Sequence, residues 1–188
     1  MPQHDSSYKQ FFSHPQMVKD LITGFIHQDW VKELDFDTLE SVKSSFITDD
    51  LREREDDVIW RVRWGKEWIY VYLLIEFQSS ENKFMAVRMM NYVFLLYQDL
   101  IKQQQLTRKK RLPPVFPIVL YNGKKRWRAA QNVLDLLEPV SGGLEKYCPS
   151  MPYLLLDQGA IIDGEGVPAE LQNLAAALFR TCLRSQIL

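Results

Sequence analysis

From Asp57 to Gln78 the chain reads DVIWRVRWGKEWIYVYLLIEFQ, two strand-like runs joined by a glycine turn, and no other segment constrains the fold as strongly. Val58, Trp60, Val62 and Trp64 alternate with other residues at the period of a strand, and Ile69 to Phe77 is rich in β-branched and aromatic types. Gly65-Lys66 supplies the turn, because glycine reaches the positive φ that primed hairpin turns require. Successive strand side chains point to opposite faces. Glu76 and Gln78 therefore share one face, roughly 6.5–7 Å apart along the strand, and Phe77 takes the other. A register that also brings Asp57 to this end sets two carboxylates together at one edge of a sheet.

Two carboxylates at that spacing suit Mg²⁺, a hard cation that takes oxygen ligands and keeps several waters for a phosphate substrate. Mn²⁺ or Ca²⁺ would fit the same donors. Such an ion polarises a scissile phosphate and lowers the pKa of the attacking water. A lysine usually stands third in sites of this kind. Here the residue is Gln78, which donates and accepts hydrogen bonds but carries no charge. A bare Glu-x-Gln also ends strands that simply reach solvent, so the motif needs its context.

That context is specific. HDSSYKQFFSHPQMVKDLITGFI, LDFDTLE, LREREDDVIWRV, YLLIEFQSS, FMAVRMMNYV, LPPVFPIVLYNGKKRW and YLLLDQGAI follow one another between His4 and about Ala160. In that order they resemble the Rpn family, the YhgA-like recombination-promoting nucleases earlier described as transposases. The resemblance implies a PD-(D/E)xK fold, an α/β core of the restriction-endonuclease type with a mixed sheet flanked by helices in αβββαβ order. It also implies Mg²⁺-dependent cleavage of DNA linked to recombination. The family's acid before the strand falls on Asp57, its strand-end acid on Glu76 and its glutamine on Gln78. Asp56 is the rival for the first acid; Asp57 lies on the opposite strand parity and matches the family position. Phe77 stands where the family often has histidine, facing away from the metal. Related nuclease folds often place an accessory acid where Glu40 opens its strand, although a surface acid there is equally ordinary. Family members are commonly longer than this chain, so a nuclease domain over 1–160 followed by a helical segment over 161–188, with further chain beyond, is expected.

Composition agrees with one domain that buries a sizeable core: 46% of the 188 residues are hydrophobic. No run of about 18 uncharged apolar residues would cross a membrane and no leader is visible after Met1, so a cytoplasmic location without membrane contact is expected. Cys148 and Cys182 have no Cys-x-x-Cys spacing and read as thiols of a reducing compartment. His4, His14 and His27 show no ligand spacing either.

The net charge of −1 is uninformative, but its distribution is not. Asp29 to Asp57 holds eleven acids against four bases, whereas Lys102 to Leu134 holds nine bases and no acid. Lys109, Lys110, Arg111, Lys124, Lys125, Arg126 and Arg128 are candidates for phosphate contacts, and Trp127 for stacking on a base. The two runs flank one apolar strand, Val115 to Tyr121, which would give them a common DNA-facing surface. Each run alone would also read as a solvated loop.

The remaining elements follow from periodicity. A helix is expected from about His14 to Gln28 and a strand from Leu39 to Ile47. A long helix from Phe84 to Gln104 is apolar enough from Met85 to Leu96 to be buried on the sheet. Its Arg88 needs a partner, a sheet-end carboxylate or a phosphate. A helix over Ala129–Leu137, a strand over Tyr153–Leu156 and a helix over Pro168–Ser185 complete the chain. Asp157 reads as a turn or helix cap rather than a ligand. The expected function is a metal-dependent DNA endonuclease promoting recombination, with DNA as partner and a homodimer allowed. The alternative is a DNA-binding recombination accessory protein with little cleavage, which the missing lysine favours and the retained acids oppose. A DDE transposase needs a third acid in another strand order, and none stands in that context.

Overall fold

A computed structural model of the chain describes residues 10–42, 57–76, 82–123, 125–163 and 173–179. The hairpin is its centre. Strands β2 (Asp57–Trp64) and β3 (Glu67–Glu76) pair antiparallel through eight register positions, from Trp64 opposite Glu67 to Asp57 opposite Leu74. Only Gly65 and Lys66 lie between them. Gly65 sits at φ +60° and Lys66 is not among the residues with positive φ, the glycine-first pattern of type II′ turns.

β1 (Leu34–Ser41) lies antiparallel on the outer side of β2, while β4 (Val115–Tyr121) and β5 (Leu154–Asp157) run parallel to β3 on its other side. The result is a five-stranded mixed sheet in the order β1-β2-β3-β4-β5. Pro117 is tolerated in β4 because β5 pairs only from Ile118 onward. β1 begins at Leu34, five residues before the position expected from sequence. Its ladder shifts between Asp35 and Glu40, where the Arg63 amide donates to the Thr38 hydroxyl instead.

Both faces of the sheet are covered, which explains why IYVYLLI in β3 reads as an almost unbroken apolar run. On one face lies α1 (Pro15–Phe25), burying Met17, Val18, Leu21 and Ile22, with proline in its first turn. Residues 174–179 are helical and pack on the same side, where Phe179 is fully buried beside Phe25. The Asp20 carboxylate accepts the Leu174 amide at 2.6 Å and fastens this last helix to α1. On the other face lies α2 (Met85–Lys102), the connection between β3 and β4. Its inner side is packed on the sheet, as expected. Met85, Met89, Tyr92 and Leu96 are buried, but Val87 and Phe94 on its outer face are exposed.

The expected helix over Ala129–Leu137 shrinks to a 3₁₀ turn at Val133–Leu136. Asn132 bridges to Pro152, and its side-chain oxygen accepts the Leu134 and Met151 amides, which commits the preceding backbone to extended geometry. A short helix, α3 (Gln158–Asp163), follows β5 directly, and Asp157 accepts the Ala160 amide as its cap, in keeping with the cap or turn role expected of it. No helix among the described residues is long and apolar enough to cross a membrane.

Candidate active site

Glu76, Tyr121 and Asp157 stand in one row across β3, β4 and β5, each at the last residue of its strand. This is the carboxyl edge at which open α/β sheets place ligand crevices. Asp57 opens β2 opposite Leu74, and Glu76 lies two residues beyond. Positions 57 and 76 are thus diagonal neighbours on the same face, roughly 7–8 Å apart. It is the face shared with Ile59 and Tyr70 and covered by α2. Gln78, Asp56 and Lys124 lie outside the described residues.

The other predicted residues divide. Glu40 accepts from the Arg61 guanidinium and is paired with it in the ladder. Arg61 is four residues along β2 from Asp57, so Glu40 stands roughly 13 Å from that end and is not brought to it. Arg88, in the first half of α2, is half-buried and donates from Nε to the Tyr92 hydroxyl at 2.8 Å.

The two basic runs do not form one surface. Lys109, Lys110 and Arg111 are exposed in a turn closed by the Thr107 amide donating to the Arg111 carbonyl. The Arg108 amide donates to the Glu67 carboxylate, which fixes that turn at the start of β3. Nine residues of strand, roughly 30 Å, separate Glu67 from Glu76. Residues 125–128 instead follow β4 and lie at the Glu76 end. A common DNA-facing surface from both runs is therefore corrected to two surfaces at opposite ends of the sheet.

Within the second run, Arg126 is committed. Its guanidinium donates to Asp157 at 3.1 Å and to Asp163 at 2.7 Å. A Cβ on Gly159 would fall 1.8 Å from the Arg126 Nη1, so a larger residue there would make the guanidinium shift. Trp127 is 9% exposed and packs edge-to-face on Tyr121 at 4.8 Å, its indole N–H donating to the Ala129 carbonyl. A side chain so placed is core rather than a stacking platform. Lys125 and Arg128 are exposed. Asp157 is filled by structural donors: Arg126, the Trp127 amide and the Ala160 amide, the last capping α3. Asp163, the second acid on Arg126, and Tyr121, the middle of the row, are not among the residues expected from sequence. The run VLYNG, which places a tyrosine just before the strand-ending turn, was the available signal for the latter.

The chain belongs to the family described as "Putative transposase, YhgA-like", whose model matches residues 2–186. It is 37% identical over 120 residues to the recombination-promoting nuclease RpnA of Escherichia coli K12, covering 64% of this chain and 40% of that protein. It is 31% identical over 122 residues to the recombination-promoting nuclease RpnD of Escherichia coli O157:H7, covering 65% and 46% respectively. To the inactive recombination-promoting nuclease-like protein RpnE of Escherichia coli K12 it is 29% identical over 163 residues, covering 86% and 52%. The chain spans about half or less of the length of these relatives. No solved structure matches it.

Proposed function

We propose that this chain carries the nuclease domain of a metal-dependent DNA endonuclease with a PD-(D/E)xK core, acting in recombination. The observation that carries the reading is the hairpin register, which sets Asp57 and Glu76 on one face at the carboxyl edge of the sheet. Two backbone positions roughly 7–8 Å apart allow an aspartate and a glutamate to reach one ion, and the all-oxygen donor set fits Mg²⁺. The bound ion would polarise the scissile phosphate and supply a reactive water. Asp57 and Glu76 hold the ion in this reading, Gln78 orients the water through its amide, and Lys125 contacts the DNA backbone. The relatives RpnA and RpnD, both named recombination-promoting nucleases, support nuclease activity in recombination.

A second reading has a specific observation behind it. The relative RpnE, matched over the largest share of this chain among those described above, is named inactive. A chain with Gln78 at the lysine position would then bind DNA without cutting it. The experiment that separates the two is nicking of supercoiled plasmid in Mg²⁺. Wild type is expected to nick, and Asp57→Ala and Glu76→Ala to lose nicking while melting at the wild-type temperature. A wild-type chain that shifts DNA in a gel but never nicks it would favour the second reading.

A further inference from the structure

We propose that the outer face of α2 is a dimerisation seam that takes the same face of a second copy of this chain, parallel and in register. The inference stands independently of the nuclease reading. Phe84, Val87, Asn91, Phe94, Gln98 and Ile101 recur at intervals of three, four, three, four and three residues, the spacing of a and d positions in a heptad repeat. All six are exposed, Phe84 by 64%, Ile101 by 53%, Phe94 by 49% and Val87 by 46%. A helix that only needed to cover the sheet would carry polar residues here. Half-buried Met90, Leu95 and Tyr97 widen the apolar band on its flanks.

The pattern of polar residues selects the occupant. In a parallel, in-register pair, Asn91 meets Asn91 and Gln98 meets Gln98, so each amide finds a donor and an acceptor, and Phe94 meets Phe94. An antiparallel pair would set Asn91 against Phe94 and Gln98 against Val87, leaving the amides buried without partners, which is unfavourable. A single polar a position is the usual device that fixes a parallel dimer register. The six seam positions carry no charged side chain; Lys83, Arg88 and Lys102 stand beside them at flanking positions. Phe84, Val87, Phe94 and Ile101 together expose on the order of 300–400 Å², the size of the largest apolar patch on a typical monomer and often a functional one. It falls below the roughly 800 Å² per partner of a standard stable interface, so the dimer is reversible and concentration-dependent.

Sedimentation equilibrium of the chain from about 1 μM to 1 mM, the range over which a small interface saturates, tests this. The wild-type mass should rise from one chain towards two. Phe94→Glu should stay monomeric throughout with an unchanged melting temperature, because the substitution is on an exposed face. For orientation, Asn91→Cys in a Cys148→Ser, Cys182→Ser background should oxidise to a linked dimer. The combined Phe84→Cys and Ile101→Cys variant, in the same background, should not give an 84-to-101 link between chains. A wild-type mass that stays at one chain, a Phe94→Glu protein that still associates, or a prevailing 84-to-101 link would each overturn the proposal.

Discussion

Asp20, Asp99 and Asp157 are all buried, but what surrounds each carboxylate differs. Asp20 accepts from the Gln16 side chain and the Leu174 amide; Asp157 accepts from Arg126 and two backbone amides. Among the described residues Asp99 meets only Lys102, at 4.0 Å, and its Oδ2 accepts no hydrogen bond. It also lies in the last turn of α2, where the helix dipole disfavours negative charge. Burial pushes its carboxyl above the usual aspartate range, with Lys102 opposing in part. The folded chain therefore holds this proton at pH values where the unfolded chain has released it. Stability from this group grows as pH falls through the raised folded value and levels off below the unfolded one; at neutral pH its charge is a standing penalty. Asp99→Asn should melt above wild type at pH 7 to 8, the gap closing as pH is lowered through that window. Melting curves of both proteins check it, and a gap that does not change with pH would count against the assignment. Gln78 carries the opposite kind of prediction, one about rate. In the nuclease reading, Gln78→Ala should lower cleavage by about 10²–10³, the usual effect of removing one positioned donor, and Gln78→Lys should keep it. Single-turnover cleavage at saturating Mg²⁺ decides, and equal rates for wild type and Gln78→Ala would reduce the residue to a polar strand end.

The segment after β4 shows how an element can mislead from sequence. KKRWR looks like a DNA-binding loop, but Asp157 and Asp163 hold Arg126 from 31 and 37 residues away and Trp127 is packed on Tyr121. If Trp127 stacked on DNA, Trp127→Ala would weaken binding at constant stability. As core it should instead lose about 3–5 kcal/mol, a fall in melting temperature on the order of 10 °C for a chain of this length. Thermal melts without DNA distinguish the two. What could be read ahead of the structure was local. The hairpin was legible because a two-residue turn fixes register from sequence alone, and with it came the pairing that brings position 57 near position 76. β4 was legible because it is buried on both faces and stopped by Asn122-Gly123. β1 was misplaced because LDFDTLE carries an acid at Asp35, Asp37 and Glu40, a composition tolerated only because it is the exposed edge strand. Of the short helix α3 only the cap, Asp157, was legible; its six residues are too few to show a helical period. The partners of Arg126 and Glu40 were invisible for a different reason: they are set by the tertiary fold, not by spacing.

Across the whole molecule the charge layout follows the sheet. One basic turn lies beside the hairpin end with Arg61 and Arg63, whose guanidinium groups both stack on Trp68, at 4.6 and 3.9 Å. The other basic residues lie past the carboxyl ends of the parallel strands, with Glu76. A duplex cannot be gripped by both runs at one site roughly 30 Å long without crossing the whole face of the sheet that α2 covers. In the nuclease reading, cleavage at Glu76 would need the phosphates to be held by the near run. Each lysine that neutralises a phosphate steepens the fall of affinity with salt by about 0.9 log units per log unit of salt. Lys125→Ala should flatten that slope by about this amount and weaken binding to all sequences alike. Replacing Lys109, Lys110 and Arg111 together by alanine should leave the slope unchanged. Arg126 is unsuited to the comparison, since removing it frees two acids and disturbs the cap of α3. Salt titrations of binding to a short duplex measure both slopes. If the triple variant flattened the slope and Lys125→Ala did not, DNA would lie at the hairpin end, and Asp57 and Glu76 would be too far from it to cut.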